Sequence, residues 1–235
     1  MVLPAKIFEI KEELNLGLAA QKLKDYHEEE TYEKEDNTTT TLITEILDLT
    51  LSENLISGVF SQDFMKTNYY RRKLIQTPVT EEAQFWVTLY QNRAFLVVVA
   101  PSVARGVKKL LASHVANKLR KNLFITTKAI LETKIPNETL KQLHESNPQA
   151  TRLIWFDQFD VPGVEKTCLA GSDLADTQLY QDYLTHGQIW YVVFEAKNRG
   201  LTMGITRNSV VTLFSKATKE ELIQYVREDI LKLIE

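Results

Sequence analysis

Glu195 and Lys197 stand two apart at the end of an apolar run that begins at Gln188. In an extended segment that spacing puts both side chains on one face. The carboxylate would hold a divalent cation, and the lysine would steady an attacking water or a phosphate oxygen. The chemistry would be phosphodiester hydrolysis. It needs a second acid upstream, for which Asp182 is the candidate, with Asp173 and Asp176 as alternatives.

An E-x-K pair ending a hydrophobic strand resembles the centre of magnesium-dependent nucleases of the restriction-enzyme type. The resemblance implies a helix after the strand, whereas Gly200 onward reads as a hairpin. A solvent-facing charge pair explains the same residues. In that reading Trp190, Val192, Phe194 and Ala196 form the core face of the strand.

The remaining search for catalysis is negative. The eight glycines form neither a GxGxxG nor a phosphate loop, and no GxSxG or HExxH occurs. His27, His114, His144 and His186 are scattered, and no metal or cofactor is expected. Cys168, the single cysteine, lies in a short apolar stretch and reads as a buried structural thiol; pairing it with His186 has no support. Asp157 and Asp160 cannot easily share a cation from one strand, since a spacing of three points them to opposite faces. Asp173 and Asp176 suit the start of a helix.

Charge distribution is the most unusual feature. The net charge is only −3, yet residues 1–36 carry ten acids against five bases, and residues 83–131 carry eight bases and no acid. Arg105, Lys108 and Lys109 share one face of an expected helix, and Lys118, Arg120 and Lys121 lie near its end. Tyr69-Tyr70-Arg71-Arg72-Lys73 interleaves aromatics with bases, which suits phosphate contact and base stacking. The competing account is a solvated face whose bases pair with the acidic segment 28–36. A whole-chain pI near 5.9 is low for a dedicated nucleic-acid binder.

These side chains need a framework. With 235 residues, 44% of them hydrophobic, the chain can build a core without metals or disulfides. One cysteine, no signal-like leader and no apolar run near 20 residues point to a soluble cytoplasmic protein with no membrane partner.

Ile7, Ile10, Leu14 and Leu18 recur at helical spacing, predicting a helix over 4–27. Residues 28–41 read as a loop. Strands are expected over 42–51, 55–64 and 69–75, with a turn near Lys66-Thr67-Asn68, and then over 83–90 and 93–100 across Gln91-Asn92. A helix should run from Pro101-Ser102 to Leu123.

The first domain is thus 1–123, an antiparallel sheet with helices at both ends, followed by a connection over 124–135. Residues 136–235 read as α-β-β-α-β-β-β-α, an order similar to profilin-like and roadblock-like domains. The fold class expected is α+β, antiparallel sheets with flanking helices. Gln84-Phe85-Trp86-Val87 echoes Gln188-Ile189-Trp190-Tyr191 too weakly to argue duplication.

The leading functional expectation is a non-catalytic interaction or regulatory protein, acting on a protein partner or on a second copy as a homodimer. Sequence-independent nucleic-acid binding through the basic segments is the alternative, and the E-x-K nuclease is the next.

Overall fold

A computed structural model describes residues 3–34, 37–101, 110–196, 199–214 and 217–234. Two compact units emerge, one formed by Phe8–Leu131 and the other by Met1–Ile7 with Glu132–Glu235.

In the first unit the end of strand β1 (Leu3–Ile10) is followed by helix α1 (Leu16–Lys24) and five strands. These are β2 (His27–Glu33), β3 (Thr39–Ser52), β4 (Leu55–Tyr70), β5 (Lys73–Tyr90) and β6 (Arg93–Val99); helix α2 (Ala112–Leu123) closes the unit. The strands pair in the order β2-β3-β4-β5-β6-β1. Phe8, Ile56, Phe60, Phe85, Leu96 and Val98 from the sheet join Leu23 of α1 and Val115 and Leu119 of α2 in one buried cluster. The Asn15 side chain caps α1 by accepting from the Leu18 amide at 3.0 Å.

Strand β7 (Ile130–Glu132) pairs with β1. The second unit then runs α3 (Asn137–Glu145), β8 (Thr151–Asp157), β9 (Lys166–Ala170), α4 (Gln178–His186), β10 (Gln188–Ala196), β11 (Leu201–Thr206), β12 (Val210–Leu213) and α5 (Lys219–Tyr225). Its strand order is β1-β12-β11-β10-β8-β9.

The expected fold class is overturned. Instead of separate antiparallel sheets with flanking helices, the twelve strands among the described residues belong to one hydrogen-bonded sheet with five short α-helices. The N-terminal strand causes the difference. Leu3 to Lys6 pair with Leu213 to Val210, so the strands of 136–235 are continued by β1 and do not form a separate sheet; their order of helices and strands is nonetheless the expected α-β-β-α-β-β-β-α.

Residues 4–10 were expected to be helical because Ile7 and Ile10 are three apart. Residues 5–10 are all buried, however, so β1 is covered on both faces and shows no alternation. Its polar residues are neutralised: Lys6 meets Glu132 at 2.5 Å, and Glu9 takes two hydrogen bonds from Arg93 at 2.9 and 3.0 Å. Burial alone would raise the Glu9 carboxyl, but Arg93 and Lys11 hold it below its ordinary value.

Part of the expected loop 28–41 is strand β2, which pairs with β3 from His27↔Glu45 to Glu33↔Thr39. Its glutamates are exposed at the sheet edge, where charge discourages further pairing and hides the apolar signal. The imperfect alternation along β3 has a local cause. Asp48 adopts φ 50°, and the register with β4 shifts between Leu47 and Thr50. This bulge lets Leu42, Ile46 and then Leu49 all reach the core.

Candidate functional site

Strands β4 and β5 do not break near Lys66. They form one hairpin with sixteen unshifted pairs, from Leu55↔Thr88 to Tyr70↔Lys73. Arg71 and Arg72 make the turn with φ of 46° and 66°, the left-handed pair of a type I′ connection. Strand β3 pairs with β4 only as far as Gln62, and β6 reaches β5 only from Gln84 onward. Among the described residues, the two strands beyond Asp63↔Thr80 are therefore paired only with each other. The result is a two-stranded arm about 20 Å long from Phe64 to Tyr70.

The root of the arm is fixed on several sides. Asp63 accepts from the Thr80 hydroxyl at 2.7 Å and from the Ile43 amide at 3.0 Å. Glu81 accepts from the Leu110 amide at 2.5 Å, and His114 of α2 meets Gln62 at 2.9 Å. Burial, aided by Lys118 and Lys121, lowers the His114 imidazole below its ordinary pKa.

From Phe64 to Thr80 the arm contains Lys66, Arg71, Arg72 and Lys73 and no acid. None of the four cations has an ion-pair partner among the described residues; Arg71 lies over the Tyr70 ring at 5.4 Å. Large apolar groups stand out in solvent, with Tyr69 at 71%, Tyr70 at 58% and Leu74 at 61% exposure. Directly opposed residues share a face. One face therefore carries Tyr70 with Lys73, Asn68 with Ile75 and Lys66 with Thr77. The other carries Tyr69 with Leu74, Thr67 with Gln76 and Met65 with Pro78, and holds no charge.

The bases of α2 are differently placed. Lys118 meets Glu28 at 2.5 Å, and that hydrogen bond holds the Glu28 carboxyl below its ordinary range. Arg120 donates to the Thr126 carbonyl at 2.9 Å. Lys121 lies on the last turn of the helix. Two of the three α2 bases are thus engaged within the unit, one by the acidic strand. Arg105, Lys108 and Lys109 lie outside the described residues. The arm's tip is eight residues beyond Gln62, roughly 27 Å along the strand, so Arg71, Arg72 and Lys73 form a patch apart from α2.

Glu195 and Asp182, the described members of the E-x-K reading, each have partners of their own. Glu195 accepts from Arg152 at 3.0 Å and lines an open cleft of ≈ 570 Å³ with Arg199, Tyr225, Glu228 and Asp229. Arg199 is ion-paired there with both Glu228 and Asp229. Asp182 sits on α4, where it accepts from Gln178 at 2.9 Å. Lys197 lies outside the described residues, and no group of three metal-ligating side chains occurs among those described. Asp157 takes two hydrogen bonds from Arg207, while Asp160 meets His186 at 2.9 Å. Cys168 is exposed on β9, which corrects its reading as a buried thiol; burial is confined to its neighbour Leu169.

No described helix is long and apolar enough to cross a membrane. Compared with known protein families and with curated proteins, the chain matches none.

Sequence reading found the arm's charges but not the arm. Its signal was a stretch of seventeen residues, 64–80, with four bases and no acid.

Proposed function

We propose that this is a non-catalytic binding protein that holds nucleic acid by its phosphates, with the β4–β5 arm as the contact element. The observation that carries this reading is the set of four cations on the arm, none with an ion-pair partner among the described residues, next to two exposed tyrosines. Phosphate contacts by Lys and Arg supply most sequence-independent affinity and make it salt-dependent. The acidic edge strand β2 repels a polyanion, so charge alone favours the arm over that edge. Cytoplasmic residence belongs to the same proposal, supported by the single cysteine.

The test is fluorescence anisotropy with a labelled DNA oligonucleotide at two salt concentrations. The wild type should bind at low salt and weaken as salt rises, without cleaving when magnesium is added. Arg71→Glu with Arg72→Glu and Lys73→Glu should abolish binding. Affinity unchanged by that triple reversal would refute the arm as the contact element.

A protein partner or second copy is the competing reading. It is supported by β9, a strand with one neighbour in the sheet and with exposed Lys166, Cys168 and Ala170. Light scattering at micromolar concentration tests self-association, and a single-chain mass would remove it.

A further inference from the structure

Resting on the nucleic-acid reading, we infer that the arm binds B-form duplex DNA by lying in its major groove, with the face of Lys66, Asn68, Tyr70 and Lys73 turned to the base edges. Two paired strands lie about 4.8 Å apart, and a major groove about 12 Å wide admits such a two-stranded ribbon. The arm meets the requirement for a two-stranded ribbon, since among the described residues β4 beyond Asp63 and β5 before Thr80 pair only with each other.

The two faces decide the orientation. Lys66, Asn68, Tyr70 and Lys73 all offer donors, and they share one face. Major-groove edges of guanine and adenine present N7 and O6 acceptors to such donors. The opposite face has polar groups in Thr67, Gln76 and the Tyr69 hydroxyl but no cation, so it is the less suited of the two to a polyanion. Arg71 and Arg72 at the turn remain free to reach phosphates along the groove wall.

The same geometry disfavours the other nucleic acids. Single-strand binding needs aromatic rings in succession on one surface. Tyr69 and Tyr70 are adjacent in one strand and point to opposite faces, so they cannot form such a platform. An A-form RNA duplex has a deep, narrow major groove that excludes a ribbon.

The full-length chain should be titrated with a 20-base-pair DNA duplex, its single strand and the matching RNA duplex. The expected result is DNA duplex binding at least about tenfold tighter than either of the others. The double variant Asn68→Ala/Tyr70→Ala, which keeps the charge, should weaken duplex binding about tenfold, and Tyr69→Ala/Leu74→Ala less than about threefold. Thermal melts of both variants check that the fold persists. Equal affinity for single strands or RNA, or a larger loss from the Tyr69 face, would overturn the groove reading while leaving the phosphate reading standing. No binding to any of the three would defeat both.

Discussion

Asp63 on β4 bridges its cross-strand partner Thr80 and the Ile43 amide, at 2.7 and 3.0 Å. This carboxylate sits where β4 leaves β3, so one side chain joins the arm's two strands and ties them to the sheet. Asp63→Ala should cost about 1–2 kcal/mol of stability, since each lost hydrogen bond is worth about 1 kcal/mol. The larger effect should be local. Amides of 64–79 should exchange faster while those of β6 are unchanged. Uniform exchange across both segments would contradict this role.

Gly58 faces Phe85 directly, and a Cβ there would lie 2.9 Å from the Phe85 ring. Phe85 is fully buried and cannot swing aside. Gly58→Val should therefore destabilise the chain by about 1–3 kcal/mol through overpacking. Urea denaturation measures it, and a change within about 0.5 kcal/mol would show that the ring has room to move.

His144 is fully buried against Tyr180, with ring centroids 4.9 Å apart, and neither imidazole nitrogen has a hydrogen-bond partner among the described residues. Burial pushes its pKa from 6.5 down to about 4. As pH falls through that window the unfolded chain takes up a proton that the folded chain refuses. Stability is then lost progressively from about pH 6.5 to about 4, with no further loss from this group below that. His144→Leu should flatten the dependence of the urea midpoint over this range. Parallel profiles for wild type and variant would contradict it.

The contrast between two turns explains what was readable. Gln91-Asn92 and Arg71-Arg72 share the same left-handed geometry. Asparagine tolerates that conformation and marks the first turn, whereas two arginines carry no turn signature. Pro78 lies in the second hairpin, although proline argues against a central strand. It is tolerated on the arm, where β5 has a neighbour on one side only.

Helix ends were readable where a side chain does the capping. Thr218 and Glu221 exchange hydrogen bonds at 3.1 and 2.7 Å at the start of α5, as their spacing predicts. The start of α4 lies later than its acids suggest. Ser172 and Asp173 precede a short 3-10 turn, and Thr177 is the residue that caps the helix. Strand β1 was unreadable because both its faces are buried, which erases the period that reveals a strand. At the candidate site the cations were legible as composition. Their projection on a two-stranded arm was not, since it follows from where β3 and β6 stop pairing.

The most direct test of the account removes the arm. Phe64 and Val79 face each other in the same kind of pair as Tyr70 and Lys73, so replacing Met65–Pro78 with Asn-Gly closes a shorter hairpin with a favourable two-residue turn and keeps Phe64 against the core. The shortened protein should melt cooperatively near the wild-type temperature and lose salt-dependent DNA binding. A folded, armless protein that binds DNA as tightly as the wild type would contradict the account.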